Sequence, residues 1–264
     1  MTNSNPKDLP RALSNLILAP AMMILSNVPM VTDLGRSPSE FSDQNDSLLV
    51  PFGIAFSIWL PIFIFAIIYG VVQFLPANRT RDVFRKTGWW TAAGFGFVCL
   101  WSLISGFAPE AIVLWGTALT FVPMVFCLVT AMLGVTQRKD QLSKGEKWTV
   151  WVPVSLIAGW TSIAMFLNFT PITTGILGGF GISETLTAIV MLSAALIFAV
   201  TIETRSGGNA IYAFPILWGL AWLAYARFHV DDINMNIGYA ALIGFAILLS
   251  VTLYTDLKKR RSKL

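Results

Sequence analysis

The sequence has little charge and few side chains that bind metals. Charged residues make up only 12% of its 264 residues, and the chain has two cysteines and one histidine. Zinc and haem sites usually recruit two or more imidazole or thiolate ligands. His229 stands alone, and Cys99 and Cys127 lie inside apolar stretches that do not suggest a disulfide scaffold. We therefore expect no metal or other cofactor.

The apolar stretches also lack the residue combinations on which enzymes depend. They contain no histidine, no paired carboxylates and no Gly-x-Ser-x-Gly segment. Neither acid–base nor nucleophilic machinery is therefore visible in them. We expect that the protein is not an enzyme.

What the sequence has in abundance is long apolar runs. Hydrophobic residues make up 55% of the chain, and its mean hydropathy is +0.69, outside the range of soluble domains. A membrane-spanning helix needs about 20 predominantly apolar residues. Runs near this length predict an all-α integral membrane protein with eight transmembrane helices. The predicted spans are residues 13–31, 48–75, 88–107, 111–135, 148–169, 176–202, 210–226 and 237–254.

Charge alternates from one connection between the runs to the next. All but two of the 18 basic residues, Arg36 and Arg227, lie at the two termini or in every second connection. By the positive-inside rule, both termini are expected to be cytoplasmic. The net charge of +4 then reflects topology, so we expect membrane lipid and no nucleic acid as a partner. The expected location is a bacterial cytoplasmic membrane.

Nine of the ten tryptophans divide into two groups by position. Trp normally collects at the membrane–water interface, because its ring is apolar while its N–H needs a polar partner. Four lie at the starts of apolar runs beside basic residues: Trp89, Trp90, Trp148 and Trp151. Five lie in the middle of runs: Trp59, Trp101, Trp160, Trp218 and Trp222. Indoles at mid-span indicate either the wall of a cavity or bulky packing between helices.

Three short segments resemble a known family, in the same order along the chain. Residues 160–168 read W-x-S-x-A-x-x-L-N, residues 55–61 read A-F-S-I-W-L-P, and Trp101-Ser102 lies in the third span. These segments resemble the tryptophan-rich sensory protein family, also called the translocator protein or peripheral benzodiazepine receptor family. The resemblance covers about residues 10–170. It implies a five-helix bundle over residues 1–170, and the apolar runs predict three additional helices with a basic tail over residues 171–264.

The resemblance implies a non-enzymatic protein, often a homodimer, with a cavity that binds porphyrins, sterol-like molecules or other flat hydrophobic ligands. Val98 stands where the family has Asn, so the fold transfers more strongly than the ligand. The candidate ligand-binding residues are Phe56, Trp59, Trp101, Trp160, Ala164, Asn168 and Glu184.

The fifth span carries the clearest stripe among these candidates. Trp160, Ala164 and Asn168 are spaced i, i+4, i+8 and so lie on one face of a helix, with a small residue between two larger ones. Such a stripe forms either a pocket wall or a seam between packed helices. Trp59, Trp101 and Trp160 also lie at similar predicted depths, which would permit one shared cavity.

Glu184 leaves two interpretations open. Ionisable groups inside a membrane tend to face a cavity or a partner and to be functional, but near the start of its span Glu184 could also reach water. The leading hypothesis is a membrane receptor or carrier for a planar hydrophobic ligand, such as a tetrapyrrole, a sterol-like molecule or an isoprenoid. The alternative is a proton-coupled secondary transporter that uses Glu184.

Overall fold

The computed structural model describes residues 5–32, 34–36, 40–41, 47–230 and 232–261. Within these residues every regular element is helical, and eight helices are long and apolar enough to cross a membrane. The predicted fold class, an all-α membrane protein with eight spans, is confirmed. The helices are α1 (Asp8–Thr32), α2 (Trp59–Phe74), α3 (Asp82–Phe107), α4 (Glu110–Thr136), α5 (Val152–Gly178), α6 (Glu184–Ser206), α7 (Ala210–His229) and α8 (Met235–Arg261).

Two of the helices begin from short helical segments of a different type. A 3-10 helix, Gly53–Ile58, leads into α2, and one turn of π-helix, Lys147–Trp151, leads into α5. Before the π-turn, the Ser143 hydroxyl accepts a hydrogen bond from the Glu146 amide, while the Glu146 carboxylate accepts one from the Ser143 amide. This reciprocal cap satisfies backbone donors that would otherwise lack partners at the start of a helix.

The junction between α5 and α6 differs from the prediction. The fifth span continues to Gly178, and the sixth begins at Glu184 instead of residue 176. Gly181 has a φ of 78°, a left-handed conformation that glycine adopts without steric cost. The Ser183 hydroxyl then caps α6 by accepting from the Leu186 amide. The turn and the cap set this boundary, whereas hydropathy alone continues across it.

The chain separates into two compact units. The first contains α1 to α4 and the beginning of α5 as far as Ala158. The second contains the 3-10 helix Gly53–Ile58, the rest of α5 from Gly159, and α6 to α8. The domain boundary predicted at residue 170 stays a prediction.

A buried ionic network organises the first unit. Asp8 accepts from Arg11 on its own helix at 2.8 Å and from Arg85 of α3 at 2.6 Å. Arg11 also donates through Nε to the Gln73 side-chain oxygen of α2 at 3.0 Å. Because Asp8 and Arg11 are both buried, each needs the other to offset its loss of hydration. The network fixes the start of α1 against α2 and α3.

Close backbone packing organises the second unit. A Cβ atom added to Gly159 of α5 would lie 2.1 Å from the Tyr212 carbonyl oxygen of α7, so only glycine permits this approach. On the same helix α7, the Trp218 indole donates to the Ala55 carbonyl oxygen at 3.0 Å. These contacts hold α5 and the 3-10 helix against α7.

Candidate functional site

In the first unit, two of the predicted site residues lie side by side. Trp59 and Trp101 have ring centroids 6.4 Å apart and planes 21° from parallel, so they stack. Trp59 also stacks on Phe63, with centroids 5.2 Å apart, and the edge of Trp101 meets Phe121 at 5.7 Å. Much of the aromatic surface of this cluster is therefore used within the protein itself.

In the second unit, a crevice opens beside Trp160. Every side chain that lines it is apolar, and its walls come from three helices and from the segment before the 3-10 helix. The lining residues are Leu49, Pro51, Trp160, Ile163, Ala164, Phe166, Leu167, Leu192, Ala195, Gly219 and Leu223. The surrounding space is about 390 Å³ when the open mouth is included. The enclosed part holds about one water molecule, so a larger ligand requires the walls to move apart.

Trp160 forms the deep wall of this crevice. Its side chain is only 2% exposed, and Phe56 meets it edge-on, with ring centroids 6.2 Å apart and planes at 87°. Across from the indole, a Cβ atom added to Gly219 would lie 3.5 Å from the Trp160 ring. The absence of a side chain at Gly219 thus leaves one edge of the ring uncovered by α7.

The predicted stripe on α5 divides at its end. Trp160 and Ala164 both line the crevice, as a pocket wall requires. Asn168 is half-buried, and its side-chain nitrogen donates to the Ala164 carbonyl oxygen at 2.9 Å on the same helix. The role of Asn168 in ligand binding stays a prediction.

Glu184 lies in the first turn of α6 and is exposed. A carboxylate at a helix N-terminus interacts favourably with the helix dipole, so its position has a structural explanation. Its functional role stays a prediction, as does the convergence of Trp59, Trp101 and Trp160 on one cavity.

Some residues that line the crevice or lie buried in the second unit were not predicted from the sequence. Gly219, Leu192 and Leu223 line the crevice but carry no motif, because the small gap beside Trp160 is created by packing between helices. Glu203 was placed outside the sixth span, yet α6 continues to Ser206 and buries it. The sixth helix therefore carries two carboxylates, Glu184 at its start and Glu203 near its end.

Within residues 5–32, 34–36, 40–41, 47–230 and 232–261, no group of three or more His, Cys, Asp or Glu side chains could hold a metal ion. Both cysteines in this part of the chain are buried and not disulfide-bonded.

The comparisons with known proteins give one match. A family model described as "TSPO-like protein" matches residues 12–254. This match extends from α1 through α8 and so includes the last three helices, which the motif resemblance had left outside. Neither the curated proteins nor the solved structures give a match.

Proposed function

We propose that this chain, which belongs to the TSPO-like protein family, is a non-enzymatic membrane receptor or carrier for a hydrophobic ligand. The ligand class is planar or polyene: a tetrapyrrole, a sterol-like molecule or an isoprenoid. The observation that carries the proposal is the crevice of the second unit, which is lined only by apolar side chains and walled by the buried indole of Trp160.

The crevice suits such a ligand for two physical reasons. Its walls offer no charged or hydrogen-bonding side chain other than the indole, so binding is driven by burial of apolar area. The indole adds stacking or edge contacts with a conjugated ligand, worth about 0.5–1.5 kcal/mol per ring pair beyond area. Family membership and the aromatic clusters support the same class of function.

The second unit is favoured over the Trp59–Trp101 cluster of the first. Trp59 already lies nearly parallel to both Trp101 and Phe63, which leaves little free ring face for a ligand. Trp160, by contrast, meets Phe56 edge-on and lines the crevice.

Ligand binding is tested by quenching of tryptophan fluorescence in the detergent-solubilised or nanodisc-embedded protein. Titration with protoporphyrin, a sterol and a carotenoid should give saturable quenching with at least one of them. Trp160→Leu should weaken that binding by about tenfold, from lost stacking and lost contact area. Trp115→Leu is the matched control, because Trp115 is 50% exposed on α4 and should leave the affinity unchanged.

Two results would contradict the proposal. A folded protein that none of these ligands quenches would exclude the ligand class. Equal affinities of the wild type and Trp160→Leu, with a loss in Trp101→Leu, would move the site to the first unit. The alternative function, proton-coupled transport through Glu184, gains no specific support from the exposed position of that residue and stays a prediction, as does a homodimer.

A further inference from the structure

Glu203 is a fully buried carboxylate at the end of α6. Its exposed fraction is 0%. One carboxylate oxygen, Oε1, accepts a hydrogen bond from the backbone N–H of Asn209 at 2.7 Å. The other oxygen, Oε2, is buried without a hydrogen-bond partner. The neighbouring Thr252 hydroxyl of α8 is also buried and also lacks one.

No positive charge compensates this carboxylate within the described part of the chain. None of the lysines, arginines or the histidine there forms an ion pair with Glu203. Within about two helical turns, the ionisable groups on the elements around it are Arg205, exposed on α6 itself, and Tyr212 on α7. On α8 they are Tyr254, Asp256, Lys258 and Lys259, all of which lie beyond Thr252 toward the end of that helix. Helix α5 carries no charged residue at all.

An isolated carboxylate is costly in such surroundings. Moving an ionised group out of water without a partner costs several kcal/mol, and the usual response is neutralisation by a proton. A proton on Oε2 would remove the charge and supply a donor for the Thr252 hydroxyl oxygen. Both unpartnered atoms would then be satisfied by one hydrogen bond.

We propose that Glu203 is a proton-binding site that secures the connection between α6 and α7. The carboxylate takes one proton from water at the membrane face that carries the basic connections, and becomes a neutral carboxylic acid. No other bond forms or breaks. In the protonated state the Oε2 hydroxyl donates to the Thr252 Oγ1 atom, while Oε1 continues to accept from the Asn209 backbone N–H.

The site is linked to the start of α7 through Asn209. The Asn209 side-chain oxygen accepts from the Tyr212 amide at 3.3 Å and so caps α7. Gly207 and Gly208, at φ values of 68° and 84°, form the turn that brings Asn209 back to Glu203. Loss of the proton would leave a buried negative charge beside this cap and disturb the first turn of α7.

Helix α7 also carries part of the crevice wall. Tyr212 packs through its carbonyl oxygen against Gly159, next to Trp160, and Gly219 lies further along α7 facing the same indole. A change at the start of α7 is therefore expected to reach the crevice. This second consequence rests on the proposed ligand binding, whereas protonation of Glu203 does not.

Infrared difference spectroscopy of the full-length protein in nanodiscs tests the protonation without any ligand. At neutral pH the wild type should show the C=O stretch of a protonated carboxylic acid, and this band should be lost in Glu203→Gln. Glu184→Gln is the control, since Glu184 is exposed, and it should keep the band. If the band is missing in the wild type or unchanged in Glu203→Gln, Glu203 is ionised and the proposal is wrong.

A second variant covers the case in which Glu203→Gln does not fold. Thr252→Val preserves shape but removes the hydroxyl acceptor, so the C=O band should shift to higher frequency while remaining present. An unshifted band would overturn the proposed hydrogen bond.

The link to the crevice is tested by quenching titrations with a ligand that binds the wild type, repeated over a range of pH. Affinity should fall as pH rises in the wild type and should be independent of pH in Glu203→Gln. The same pH dependence in both proteins would refute the link. Because the infrared experiment needs no ligand, a failure of the proposed ligand binding remains distinguishable from a failure of the proton site.

Discussion

Replacement of Gly159 by alanine probes the backbone contact on which the second unit depends. The new Cβ atom would lie 2.1 Å from the Tyr212 carbonyl oxygen and 3.3 Å from the Pro215 ring. Ordinary van der Waals contact begins near 3.4 Å, so α5 and α7 must separate by about 1 Å. The obstructing atom belongs to the backbone and cannot rotate away. Overpacking of this kind costs about 1–3 kcal/mol, and we expect the upper end of that range.

The measurement is unfolding in detergent by heat or denaturant, compared with Gly175→Ala on the same helix. A Cβ atom at Gly175 meets nothing within 4 Å, so alanine there should be neutral or should stabilise α5 by up to about 1 kcal/mol through helix propensity. Gly159→Ala should also weaken ligand quenching, because α5 and α7 both contribute residues to the crevice wall. If Gly159→Ala and Gly175→Ala have the same unfolding midpoint, α5 and α7 do not approach each other as closely as this contact requires.

Two other substitutions test separate features. Asp8→Asn leaves the buried Arg11 guanidinium without its counter-ion, so the free energy of unfolding should fall by about 3 kcal/mol, the low end for a buried pair. The control is Asp82→Asn in an exposed ion pair, which should leave the unfolding midpoint near that of the wild type. Equal effects of the two substitutions would contradict a buried network. Gly207→Asn should be tolerated, because Asn adopts left-handed φ values and a Cβ atom there meets nothing within 4 Å. Gly208→Asn places a Cβ atom 3.0 Å from the α8 backbone and should lower the unfolding midpoint. Equal unfolding midpoints of the two variants would refute the tight packing of this turn.

The span count was predictable because its signals are local. Hydropathy over about 20 residues and the alternation of charge both follow from the cost of placing polar groups in lipid, and neither needs the tertiary structure. The boundary at the sixth span was missed for the opposite reason. The apolar run from residue 176 continues past Gly181, and only the turn and the Ser183 cap end one helix and begin the next. Glu203 fell outside the predicted span for a separate reason, because the apolar run ends at Ile202 whereas the helix continues to Ser206.

The site was predictable only in part, because the same residue type plays different roles at similar positions in a span. Trp101 stacks on Trp59, Trp218 donates a hydrogen bond to a backbone carbonyl, and Trp160 borders a crevice. What distinguishes Trp160 is its neighbour across the gap, Gly219, which lies on another helix with no fixed sequence spacing to it. The rings of Phe63 and Trp101 lie against Trp59, whereas Gly219 leaves space beside Trp160. A tryptophan-rich sequence therefore predicts aromatic clusters, while the residue opposite an indole, as Gly219 is to Trp160, sets how much space remains beside the ring.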